Sequence, residues 1–139
     1  MFRLHPQLKK DCHTVGQFPL CTLLLMNDAN YPWFILVPMR ENITELFQLD
    51  AVDQQQLMVE SSALGQALMK IFSGDKLNIA ALGNVVPQLH IHHVVRYRRD
   101  AAWPAPVWGR IAAVAYSEET LLDVSRRVEA ELDSSLFSV

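Results

Sequence analysis

Residues 77–96 read LNIAALGNVVPQLHIHHVVR, two short apolar runs divided by a glycine-containing turn, the pattern of paired strands. The expected strands are Lys76 to Leu82 and Gln88 to Tyr97, with Gly83 to Pro87 between them. Side chains two apart on a strand share a face. Gln88, His90 and His92 therefore project together, while Leu89, Ile91 and His93 point the other way. Three of the chain's five histidines lie in this run, so two imidazoles and an amide line one surface with apolar residues behind them.

The flanking sequence supplies the rest of a fold. Pro19 to Met26 (PLCTLLLM) is a short apolar run followed by Asn27-Asp28-Ala29-Asn30, a strand entering a turn. Trp33 to Val37 reads as the next strand, stopped by Pro38, and the polar turn between the two predicts a hairpin. Asn42, with Glu45 three residues on, has the spacing of a helix cap. Asp50 with Asp53 caps a longer helix through Phe72, ended by Ser73-Gly74. In it Leu57, Ser61, Leu64, Leu68 and Ile71 recur at three and four residues and form one stripe to bury.

Beyond the histidine strand, Asp100 to Gly109 (DAAWPAPVWG) is too rich in proline for a central strand or a helix. It reads as a structured loop anchored by Trp103 and Trp108. Ser117, followed by Glu118 and Glu119, starts a final helix with Leu121, Val124, Val128 and Leu132 on one face. No repeat or linker divides the chain, so residues 1–139 are expected to form one α+β domain: an antiparallel β-sheet of about five strands, one long helix packed on it and a C-terminal helix.

Composition narrows the partners. Twelve basic against fifteen acidic residues leave a net charge of −3, too small to draw the whole molecule to nucleic acid or an acidic membrane. Met1 to Asp11 lacks the apolar core of a secretory signal, and the longest apolar stretches, Leu20 to Met26 and Trp33 to Met39, fall far short of a bilayer span. A cytoplasmic protein is expected. Its two cysteines, Cys12 and Cys21, then read as reduced structural thiols.

Three chemistries compete for the histidine face. The bland one makes His90 and His92 polar residues on a solvated sheet, with His93 a hydrogen-bonded histidine on the packed side. Zinc is the second, since histidines two apart can share a metal, but a further ligand has to come from His5, His13, Cys12 or Cys21. The third is nucleophilic catalysis, in which one neutral imidazole attacks an electrophilic phosphorus while its other ring nitrogen is oriented by an acceptor.

The stretch from Leu77 to Arg96 resembles the histidine triad family of nucleotide hydrolases and transferases, whose signature is histidine, apolar, histidine, apolar, histidine, then two apolar residues. In that register Gln88, His90 and His92 hold the three triad positions, with glutamine where the first histidine stands. Asn78, Gly83 and Asn84 match the asparagine and the glycine–glutamine pair found upstream. Asn27 and the run Pro32 to Pro38, with Arg40, are similar to the family's earlier asparagine and strand. The resemblance covers roughly residues 12–98, leaving 99–139 for the tryptophan and proline loop and the last helix.

The resemblance implies a covalent nucleotidyl intermediate on His90, oriented by the backbone carbonyl of Gln88. His92 contacts the phosphate, and the Gln88 amide is placed to donate to a phosphoryl oxygen. Asn27, Asn78, Gly83 and Asn84 are the implied substrate contacts. Substrates are nucleoside phosphates, phosphoramidates or dinucleoside polyphosphates, with no metal and no cofactor. The implied partners are the nucleotide and a second copy in a homodimer, with no nucleic acid and no membrane. Two alternatives remain open: a nucleotide-binding module with little or no catalysis, and a metal-binding protein. The sequence departs from the family pattern at Gln88, at Val85, where a hydroxyl residue is expected, and at Trp33, where a histidine often stands.

Overall fold

A computed structural model describes residues 1–139. Helix α1 (Pro6–Asp11) starts with Pro6 in its first turn, where the missing N–H is no loss, and His5 caps it by accepting the Gln7 N–H. Strands β1 (Cys12–Gln17), β2 (Cys21–Met26) and β3 (Trp33–Pro38) follow. After them come helix α2 (Ala51–Phe72), strands β4 (Lys76–Ala80) and β5 (Ile91–Arg96), and helix α3 (Glu118–Glu131). All five strands pair antiparallel in the order β1-β2-β3-β5-β4. The α+β expectation holds, and no helix is long and apolar enough to cross a membrane.

Alternation along the strands divides the core in two. Leu23, Leu25, Phe34, Leu36, Ile91 and Val95 face α2, whose Leu57, Leu64 and Leu68 are buried against them. The opposite face carries Leu24, Trp33, Ile35, Val37 and Val94 and is covered by the N-terminal segment and loops, not by a long helix. Phe2, Leu4 and Leu8 lie on it from the N-terminal segment, and Ala102 and Val107 from the loop after β5. His90 and His92 stand on this second face.

The caps at Asp50 and Ser117 form as their sequences suggest, each side chain accepting a backbone N–H three residues on. Ser73 ends α2 in the left-handed region (φ 48°), and Gly74 follows it because a Cβ there would strike Val95 on β5.

Several expectations need correction. No helix starts at Asn42, which adopts φ 59° in a turn; the only helical piece between Asn42 and Asp50 is a 3-10 turn, Leu46–Gln48, with Glu45 and Gln48 as its capping box. The N-terminal stretch, to which the sequence reading assigns no element, forms α1 and the edge strand β1, whose sparse burial gives little periodic signal. Strand β5 starts at Ile91, so Gln88 and His90 precede the ladder. Arg96, the last residue of β5, is 1% exposed.

Arg96 tolerates burial because each of its three guanidinium nitrogens has an acceptor. Its guanidinium grips Asp100 at two points (2.8 and 3.0 Å) and also donates to Asn78 Oδ1 and the Ala105 carbonyl. Burial alone would push the Asp100 carboxyl up, but Arg96 and the N–H groups of Tyr97 and Trp103 bring it down to about 2. This pair ties the loop of residues 100–109 to β5. Ala102 and Val107 anchor that loop in the core, whereas Trp103 and Trp108, the expected anchors, are half-buried.

Candidate active site

His90 is set by its own backbone. Its Nδ1 lies 2.7 Å from the carbonyl oxygen of Gln88, and a carbonyl only accepts, so Nδ1 carries the proton. The lone pair is then on Nε2. The ring is 7% exposed and borders a cavity of about 330 Å³ whose polar lining is Thr44, Glu45 and Gln88. A neutral imidazole with one nitrogen oriented and the other unprotonated is the arrangement of a nucleophile.

His92 has the opposite tautomer. The indole Nε1–H of Trp33 donates to His92 Nδ1 over 3.0 Å, so the His92 proton sits on Nε2. Burial, followed by the neighbouring His90 and His93, pushes its pKa down to about 3. The rings of His90 and His92 meet edge to face at 4.8 Å, and Trp108 packs against His92 at 5.1 Å and against Trp33 at 5.6 Å. One ring therefore presents a lone pair and its neighbour an N–H, a pairing suited to attack on a phosphoryl group and contact with its oxygens.

His93 turns to the α2 face, as the alternation requires. It is fully buried, with Nδ1 donating to the Ile91 carbonyl (3.1 Å) and Nε2 accepting from the Ser61 hydroxyl (2.7 Å). Burial pushes its pKa down to about 4. It is a satisfied core histidine.

The side chain of Gln88 meets the N-terminal segment. Its Oε1 accepts from the His5 backbone N–H and its Nε2 donates to the Arg3 carbonyl, both at 2.8 Å. The amide thus clamps the N-terminal segment as a neighbouring strand would, with one of its two Nε2 hydrogens engaged. The backbone carbonyl of the same residue still orients His90.

The other expected contacts are scattered. Gly83 lines the His90 cavity with φ 76°, a conformation that suits glycine. Asn84 and Val85 beside it are exposed. Asn78 pairs across the ladder with Val94, while Ala80 pairs with His92, so Asn78 lies away from His90 and is held by Arg96. Asn27 borders a second cavity, of about 410 Å³, with Asp28, Trp33 and Trp108, and its Oδ1 accepts the Tyr116 N–H. Asp28, which the sequence did not single out, is buried and accepts from Asn30 and Val114.

No three His, Cys, Asp or Glu side chains converge to hold a metal ion. Cys12 and Cys21 are free thiols, both pushed up by burial, Cys12 to about 12 with Asp11 adding to the shift and Cys21 with Glu60 adding. Neither is poised as a thiolate. The residues missed in sequence, Trp33 as partner of His92 and Trp108 beside it, carry no local signal, because the contacts cross strands and loops.

The HIT domain family model matches residues 7–99. A histidine triad protein from Marinobacter aquaeolei is 51% identical, covering 95% of this chain and 96% of its own, with a TM-score of 0.93. One from Bradyrhizobium japonicum is 45% identical over 95% and 98% of the two chains, also at 0.93. A histidine triad nucleotide-binding protein from Sulfolobus tokodaii shares the fold alone, at 12% identity, 86% and 83% coverage and a TM-score of 0.66. Comparison with curated proteins gave no match.

Proposed function

Because the chain belongs to the histidine triad family, we propose that it is a nucleotide hydrolase or transferase that works through a covalent nucleotidyl group on His90. Its substrates on this reading are nucleoside phosphates, phosphoramidates or dinucleoside polyphosphates. The observation that carries the reading is the Gln88 carbonyl on His90 Nδ1, which leaves Nε2 as the free nucleophile. Nε2 attacks the α-phosphorus, His92 Nε2–H steadies a phosphoryl oxygen, and water then releases the nucleotide. The cavity beside Asn27, Asp28 and the tryptophan pair is of a size and mixed polarity suited to a nucleoside.

A second reading, binding without turnover, draws on the burial of His90 and His92, 7% and 4% exposed. The two separate when purified protein and His90→Ala are given adenosine 5′-phosphoramidate and a diadenosine polyphosphate. Release of nucleotide by the parent alone supports catalysis. If neither releases any and both melt at equally raised temperatures with ligand, the binding module is correct.

The same reading includes a homodimer. Strand β4 has an unpaired edge, and Ile79 on it is exposed beside the exposed Met58 and Leu46 around one apolar cavity. An edge and an apolar patch together favour burial against a second copy. Sedimentation equilibrium tests it, with Ile79→Lys expected to shift the population to monomer.

A further inference from the structure

Resting on that nucleotidyl-transfer reading, the surroundings of His90 carry one more step, because no neighbouring group of its own protomer is arranged to hand over a proton. Trp33 is a donor and has no acceptor to offer. Placing a proton on His92 Nδ1 sets two N–H groups against each other across 3.0 Å, so His92 is confined to its neutral form. The only proton it presents is the weakly acidic one on Nε2.

The remaining candidates are committed elsewhere. His5, brought near by its backbone bond to Gln88, has Nδ1 occupied as acceptor of the Gln7 N–H, and protonating it breaks the cap of α1. In the cavity beside His90, Thr44 is turned to Gln48, the exposed Glu45 accepts in its capping box, and Gln88 is a non-titrating amide held by Arg3 and His5. The other lining residues are Gly83 and apolar side chains. Arg3 is a permanent cation. Lys10 and Asp11 line the cavity on the far side of Trp33 and Trp108, and His90 is not among the residues lining it.

We propose that this site is built for nucleotidyl donors whose leaving group departs as a weakly basic oxyanion, needing no proton from the protein. Phosphate, polyphosphate and sulfate belong to this class; amines and alkoxides do not. In the first step the His90 Nε2–phosphorus bond forms and the phosphorus–oxygen bond to the leaving group breaks, its electron pair leaving on oxygen. The nucleotidyl imidazolium keeps its Nδ1 proton on the Gln88 carbonyl. Water then attacks phosphorus, the pair of the broken bond returns to Nε2, and the proton of water passes to solvent.

The test is a series of adenosine 5′-(substituted phenyl) phosphates, with adenosine 5′-phosphosulfate and adenosine 5′-phosphoramidate alongside, read as kcat/KM and as the rate of adduct formation on His90. Steep decline with rising phenol pKa is expected, with the phosphoramidate at least about 10²-fold behind the phosphosulfate, the size of a missing general acid. Trp33→Phe, which removes the opposing N–H, is expected to let His92 Nδ1 take a proton in ¹⁵N spectra and to narrow that gap below pH 6. A shallow dependence on the leaving group, or equal rates from the two donors in the parent protein, overturns the inference while leaving nucleotidyl transfer intact. No adduct even from the 4-nitrophenyl ester removes the transfer reading and the inference together.

Discussion

The carbonyl of Gln88 lies 2.7 Å from His90 Nδ1 while the side chain of Gln88 points away to bind Arg3 and His5. One residue thus serves the site with its backbone and the N-terminal segment with its amide. The two roles respond to different substitutions.

Gln88→Ala keeps the carbonyl and loses both clamp bonds. Adduct formation on His90 is expected to stay within a few-fold of the parent, while stability falls by about 1–3 kcal/mol. Hydrogen exchange should quicken in residues 2–8 and not in β5. A collapse of adduct formation at unchanged exchange would show that the amide, not the carbonyl, serves the chemistry.

His90→Asn removes the nucleophile with little loss of apolar packing. Nucleotidylation should drop by about 10³-fold or more, as expected when a covalent catalyst is lost, with a melting temperature close to the parent's. Intact-mass spectrometry after incubation with donor measures it directly.

Acid should weaken the fold through His92 and His93. Their pKa values, about 3 and 4 in the folded protein, lie below the 6.5 of an unfolded histidine. Between these values the unfolded chain binds protons that the folded one does not, so stability is whole above pH ~6.5 and drains as pH falls. Each histidine removes at most about 1.4 kcal/mol per pH unit. Urea midpoints from pH 7 to 4.5 follow this loss, and His92→Gln should roughly halve its slope; an unchanged slope would locate the sensitivity elsewhere.

Ser61→Ala tests the view that His93 is structural. It strands the buried His93 Nε2 without its donor, at a cost of about 1–3 kcal/mol, and leaves the rate of adduct formation alone. Loss of rate at full occupancy of the folded state would assign His93 to the reaction.

Asp100→Ala leaves the Arg96 cation buried with one ion partner gone. A loss of about 3–5 kcal/mol is expected, with loosening of residues 100–109 reported by tryptophan fluorescence from Trp103 and Trp108. Little change in either would mean that the loop is held by Ala102 and Val107 alone.

Much of this molecule was legible as a string because the responsible forces are local or periodic. Alternation separated His90 and His92 from His93, and the stripe on α2 found its own face. Asp50 and Ser117 announced their helices because a cap acts three residues away. Asn42 misled, since the same residue type favours left-handed turns as readily as caps, and β1 was hidden by its polar edge.

What the string could not contain is the set of partners that meet across the sheet. Whether Arg96 is a solvated cation or a buried tie depends on where Asp100, Asn78 and the Ala105 carbonyl arrive, and the side chain of Gln88 has no fixed meaning until residues 3–5 lie beside it. By its own order the sequence determined the α+β class, the strand that carries the histidines and their division between two faces, because these follow from period and local capping. Only the tertiary structure decided the tautomers of the site. Hydrogen-bond donors and acceptors acquire direction only when Trp33 and His92, one strand apart in space and 59 residues apart in the chain, are brought to 3.0 Å.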